Sequence, residues 1–124
     1  MIILIVDDSG VMRRIHKNTL MDNGVPSQFL LEAADGQQAL KLAGENSITL
    51  FLVDWNMPKM DGLEFVKELR KTEKYKATPI IMVTSEAAKY NVIQAISSGV
   101  TDYVVKPIKG TILWDKISAY LNTG

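Results

Sequence analysis

Cysteine is absent from the 124 residues, which excludes disulfides and thiolate metal sites. That absence is compatible with a reducing, cytoplasmic setting. Basic and acidic residues balance, 14 against 14, and no basic block or stripe interrupts the chain. Nucleic-acid binding therefore has no electrostatic support, and neither has attachment to a membrane surface. No apolar run approaches the ~20 residues that span a bilayer. The N-terminal apolar run is short, ends in Asp7-Asp8 and lacks a basic lead, so it does not read as a signal peptide. Low-complexity tracts, internal repeats and linker-like stretches are also missing. A chain of this length suits one core.

What is present is an alternation of two patterns. Short runs rich in β-branched residues, near 2–7, 28–33, 49–54, 79–84 and 102–106, read as strands apolar on both faces. Between them, segments near 9–22, 36–45, 62–72, 87–98 and 110–122 carry helical spacing. The expected inner faces are Met12, Ile15 and Thr19 in the first helix, with Val11 and Leu20 beside them. Phe65, Val66 and Leu69 serve the third, Val92, Ile93 and Ile96 the fourth, and Leu113, Ile117 and Leu121 the last. Gly24, Gly44 and Gly99 fall where helices should stop, and Asp35-Gly36 and Asp61-Gly62 are turn signals before helices. Strict strand–helix alternation gives an α/β fold, a parallel sheet with right-handed crossovers and helices on both faces.

The chemistry gathers at the ends of these runs. Asp54 closes Leu50-Phe51-Leu52-Val53, Asp7 and Asp8 close Ile2 to Val6, Thr84 closes the fourth run, and Lys106 closes the fifth just before Pro107. Ligands of open α/β sheets bind beyond the carboxyl ends of the strands. Taken singly, each residue has an ordinary explanation: Asp8-Ser9 as a helix N-cap, Asp54 as a loop residue, Lys106 as a solvated lysine. Taken together, at the ends of four runs, they make a site. Three carboxylates against one lysine leave a nominal charge near −2, which a divalent cation would neutralise. Oxygen donors without cysteine or a nearby histidine select Mg²⁺ or Mn²⁺ over zinc. His16, the only histidine, is placed about two turns from the acidic edge and is expected to take no part. Trp55 and Trp114 are expected to pack, and Met57 and Met60 to shape the loop after Asp54.

Val6-Asp7-Asp8-Ser9, Asp54-Trp55-Asn56-Met57-Pro58 with Asp61-Gly62, Thr84-Ser85 and Lys106-Pro107 together resemble the receiver domain of response regulators. The match covers the whole chain and is nearest to the stand-alone chemotaxis members, through Met12-Arg13-Arg14-Ile15, Glu86-Ala87, Gly99 and Tyr103-Val104-Val105. The resemblance implies a five-stranded parallel sheet in the order 2-1-3-4-5, flavodoxin-like, with residues 1–124 forming one domain and no effector domain. It implies that Asp54 accepts a phosphoryl group from a sensor histidine kinase. Asp8, Asp54 and the carbonyl of Asn56 would bind Mg²⁺ directly, and Asp7 largely through water. Lys106 and the Thr84 hydroxyl would contact the phosphoryl oxygens. The protein would catalyse its own phosphorylation and dephosphorylation rather than turn over a substrate. It would act as a cytoplasmic monomer, without membrane insertion, on an output protein such as the flagellar motor switch. A phosphorelay shuttle or a receiver with a non-motor output is the alternative. The face lined by Lys89, Tyr90, Tyr103 and Lys109 would carry the output, with Thr84 moving toward the phosphoryl group and Tyr103 turning inward.

Three departures from the family pattern stand out. Gly10 opens the first helix, Ser85 replaces a common alanine, and Lys59 adds a charge to the loop after Asp54; none removes a required group. A flavodoxin is disfavoured because Asp7-Asp8 would repel its phosphate. An aspartyl-nucleophile phosphatase is disfavoured because Asn56 stands where such enzymes carry a general acid.

Overall fold

The computed structural model describes residues 1–57, 60–84, 89–106 and 108–121, and of residues 89–92 the backbone alone. Pro58, Lys59, Ser85, Glu86, Ala87 and Pro107 lie outside the described residues, as do the side chains of Lys89, Tyr90 and Val92.

Five strands, β1 (Ile3–Val6), β2 (Leu30–Ala33), β3 (Leu50–Asp54), β4 (Ile80–Thr84) and β5 (Asp102–Val105), alternate with α1 (Gly10–Asp22), α2 (Gly36–Glu45), α3 (Gly62–Arg70), α4 (Lys89–Ser97) and α5 (Gly110–Leu121). The sheet is parallel throughout, in the order β2-β1-β3-β4-β5. β1, β3 and β4 are buried along their whole length, which explains their unbroken apolar sequences. Alternate residues feed two cores. Leu4, Val6, Phe51, Val53, Ile80 and Met82 pack under α2, α3 and α4 with Ala39, Phe65, Leu69 and Ala95. Ile3, Ile5, Leu50, Leu52, Ile81 and Val83 pack under α1 and α5 with Leu20, Leu113 and Ile117.

The turn chemistry acts where the sequence places it. Ser9, Asp35 and Asp61 are N-caps, their side chains accepting from the N–H groups of Met12, Gln38 and Glu64. Gly24 and Gly99 have φ of +94° and +112°, a region that only glycine enters freely. Gly44 does not end its helix, because α2 runs on to Glu45. The second strand starts later than expected, since Ser27–Phe29 forms a short 3-10 turn first.

Two inner faces differ from the expected ones. α1 buries His16 and Leu20 and leaves Val11 70% and Ile15 47% exposed. A face centred on 16 and 20 is turned by one residue, about 100°, from one centred on 15 and 19. The large apolar side chains do not mark the inner face, because the helix meets α5 and the sheet through Leu20 and an imidazole. α4 exposes Ile93 at 58% and Ile96 at 48%, and approaches the core through the small Ala95. In α3, Phe65, Val66 and Leu69 are buried as expected, as are Leu113 and Ile117 in α5.

Candidate functional site

The register of the sheet brings the strand ends to one edge. Val6 pairs with Val53, Asp54 with Val83, and Thr84 with Val105, so the residues closing β1, β3, β4 and β5 stand in a row. The ladder continues past the strands through Asp7 N–H to Ala33 O (3.1 Å), Trp55 N–H to Val83 O (3.0 Å) and Lys106 N–H to Thr84 O (2.8 Å).

Asp7, Asp8 and Asp54 each offer a carboxylate oxygen within 4.8 Å of the others. Asp7 and Asp54 are buried, while Asp8 is exposed. Lys106 Nζ donates to Asp54 Oδ1 at 3.2 Å, the one cation paired with the acid cluster among the described residues. Ser9 N–H donates to Asp7 Oδ1 at 2.9 Å, but Asp7 Oδ2 is buried without a hydrogen-bond partner among the described residues. Burial foremost, with the charges of Asp54 and Asp8, pushes the Asp7 carboxyl up to about 6, against the pull of Ser9 N–H and Lys106. A crowded, partly unsatisfied, all-oxygen donor set of this kind fits a hard divalent cation.

Thr84 is buried, and strand alternation puts it on the α4 side of the sheet, with Ile80 and Met82. Tyr103 lies on that same side, partly buried, and pairs with Met82 two residues before Thr84. Asn56, two residues past Asp54, is exposed. Met57 closes over the core, and Trp55 and Met60 pack partly buried against it. Gly62 fixes the return of this loop: its N–H donates to Trp55 O at 2.9 Å, and a Cβ there would collide with the Asp54 carbonyl.

One contributor is not marked by the sequence pattern. Arg13, from α1, reaches back to donate to the Asp7 carbonyl at 2.6 Å, and its Nε donates to Glu32 Oε1 at 3.1 Å. His16 is buried, with neither ring nitrogen hydrogen-bonded among the described residues. Desolvation first, and then the charge of Lys106, lower it to about 4. The imidazole is therefore neutral at physiological pH, and the site's lysine acts on it electrostatically.

The sequence pattern of the response regulator receiver domain matches residues 3–118. The chain belongs to that family. It is 46% identical over 123 residues to a chemotaxis protein CheY homolog of Campylobacter jejuni, covering 98% of this chain and 93% of that one. It is 44% identical over 122 residues to CheY1 of Helicobacter pylori, covering 98% and 97%. Among solved structures, chemotaxis response regulator CheY4 of Vibrio cholerae superposes with a TM-score of 0.88 at 36% identity, over 95% of this chain and 96% of that one. Receiver domains bind Mg²⁺ at an acidic pocket, and Asp7, Asp8 and Asp54 form such a pocket here. No helix among the described residues is long and apolar enough to cross a membrane.

Proposed function

We propose that this receiver takes a phosphoryl group from a histidine kinase onto Asp54 and thereby changes its affinity for an output protein in a chemotaxis system. One observation carries the reading: a buried Asp54 is paired with Lys106 at 3.2 Å and shares its edge with Asp7 and Asp8. The names of the CheY relatives support the chemotaxis setting.

Asp54 supplies the nucleophile. Its carboxylate oxygen bonds to phosphorus as the P–N bond to the kinase imidazole breaks, and the imidazole leaves with a proton. Lys106 and the Thr84 hydroxyl meet the charge on the phosphoryl oxygens, so the gain comes from positioning and charge neutralisation. Mg²⁺, held by Asp8, Asp54 and the Asn56 carbonyl with Asp7 behind, would supply the remaining positive charge. The aspartyl phosphate is a mixed anhydride, so water ends the signal. The protein serves its own modification and does not turn over a separate substrate.

The output follows from packing. Thr84 moves toward the new phosphoryl group, and Tyr103, on the same face, turns inward. That reshapes the surface of α4, β5 and α5, where Ile93 and Ile96 are exposed. This is a population shift biased by contacts made only in the phosphorylated state. A flagellar motor-switch protein is the proposed partner.

The test is intact-mass analysis after incubation with a small acyl phosphate. Wild type with Mg²⁺ should carry one phosphoryl adduct, and Asp54→Asn none. Equal labelling of Asp54→Asn would move the acceptor elsewhere.

A further inference from the structure

β5 opens with an acid, an uncommon choice for a strand. Asp102 and Tyr103 are neighbours on this edge strand, so their side chains leave on opposite faces. Tyr103 lies on the α4 side, while Val104, its other neighbour, packs under α5. Asp102 therefore shares the α5 side. There its Oδ1 accepts from Lys116 Nζ at 2.9 Å and from the Tyr103 N–H at 2.8 Å, and its Oδ2 accepts from Tyr120 O–H at 3.2 Å. The same Lys116 ammonium stands 5.4 Å from the centre of the Tyr103 ring. A lysine from α5 thus reaches around the open edge of the sheet, held by Asp102 on one side and covering Tyr103 on the other.

Both contacts matter to Lys116. A lone lysine over an exposed aromatic ring spends its time among many rotamers, and its side-chain entropy dilutes the attraction. Anchoring the ammonium on Asp102 removes much of that freedom. The main-chain bond from Tyr103 N–H to the same Oδ1 ties the acid to the residue whose ring is covered.

We infer that Asp102 is a positioning residue for the output switch: it holds Lys116 against the Tyr103 ring and so sets the resting position of Tyr103. The inference rests on the proposed reading that Tyr103 changes place on activation. Moving Tyr103 inward takes its ring from under the ammonium, so the Asp102–Lys116 pair opposes activation. Loss of the pair raises the activated-like population before any phosphoryl group arrives. A contact of this strength corresponds to roughly a two- to five-fold change in that population.

The experiment follows Tyr103 directly by NMR of the full chain carrying isotope-labelled tyrosine. The Tyr103 ring signal is identified by its loss in Tyr103→Phe. Wild type, Asp102→Asn, Lys116→Met and Lys116→Arg are compared with Mg²⁺ alone and with Mg²⁺ plus beryllofluoride. Without beryllofluoride, Asp102→Asn and Lys116→Met should each move the Tyr103 signal part-way toward its position in beryllofluoride-loaded wild type. Lys116→Arg should leave it near the wild-type position, because arginine keeps both the ion pair and the ring contact. If beryllofluoride shifts Tyr103 in wild type but both neutral variants rest at the wild-type position, the switch stands and the role of Asp102 is refuted. If beryllofluoride leaves Tyr103 unmoved in wild type, the switch reading fails and takes this inference with it. A shift in Lys116→Arg as large as in Lys116→Met would also overturn the inference, since charge would then not be the cause.

Discussion

Lys106 Nζ lies 3.2 Å from Asp54 Oδ1, spanning the sheet from β5 to β3 across the end of β4. The pair holds the proposed nucleophile in place, and the same ammonium is within reach of a phosphoryl oxygen once Asp54 is modified. Lys106→Ala should therefore remain able to take a phosphoryl group, because attack is left intact. Its labelling rate by an acyl phosphate should fall by roughly 10²-fold, the usual cost of losing one charge-stabilising donor. The binding response to beryllofluoride should be blunted as well. Time-resolved intact-mass analysis measures the first effect. A Lys106→Ala rate equal to wild type would show that the lysine is spectator to the transfer.

Arg13 should act on the metal site from behind. It ties the Asp7 carbonyl to Glu32 on β2, and so fixes the backbone that carries two of the three acids. Arg13→Met should weaken Mg²⁺ binding by about tenfold, the lower end for supporting residues of metal sites. Trp55, beside Asp54, reports binding in a Trp114→Phe background, and calorimetry gives a second reading. Unaltered affinity in Arg13→Met would make the arginine a purely structural tie. A flat Trp55 titration with no heat in the Trp114→Phe protein itself would remove the metal site altogether.

Gly62 should be irreplaceable for a steric reason. A Cβ there meets the Asp54 carbonyl and comes within 2.9 Å of Trp55 Cα, both main-chain atoms with no room to yield. Gly62→Ala should cost about 1–3 kcal/mol, as overpacking does elsewhere. The urea midpoint should drop at unchanged slope. Gly10→Ala is the control, since its Cβ would meet only the end of the Arg13 side chain at 3.5 Å; it should be neutral or slightly stabilising.

His16 gives a pH dependence of definite sign. Its folded-state value is lowered from 6.5 to about 4, so between these the unfolded chain binds the proton that the folded one refuses. Its contribution is complete above pH 6.5 and declines as pH falls toward 4. The separation amounts to on the order of 3 kcal/mol. Asp7 works in the opposite direction, because its raised value makes its contribution fall as pH rises toward 6. Comparing wild type with His16→Leu isolates the histidine. The stability of wild type relative to His16→Leu should fall as the solution is acidified from pH 6.5 toward 4, and a pH-independent difference in denaturant midpoints would contradict the assignment.

Much of this architecture is legible in the chain because β1, β3 and β4 are buried on both faces and need unbroken apolar runs. Asp7, Asp54, Thr84 and Lys106 are legible for a related reason: a polar residue ending such a run marks the sheet edge. The inner face of α1 is not legible, since periodicity counts His16 as polar and Val11 and Ile15 as core, whereas packing reverses both. The inner face of α4 fails similarly, because Ala95 is small and Ile93 and Ile96 face out. The contacts of Arg13 with Asp7 and of Lys116 with Tyr103 depend on how separate elements approach, which no local pattern encodes. Asp102 alone left a trace, as an acid at the head of an apolar strand.

The most direct test of the central claim is to locate the phosphoryl group. Borohydride reduces an aspartyl phosphate to the alcohol, converting the acceptor into homoserine. Protein phosphorylated by its histidine kinase or by an acyl phosphate in Mg²⁺ is reduced, digested and read by peptide mass spectrometry. Homoserine is expected at position 54, and none there when Mg²⁺ is chelated. Homoserine at another carboxylate, with Asp54 recovered unmodified from fully labelled protein, would contradict it.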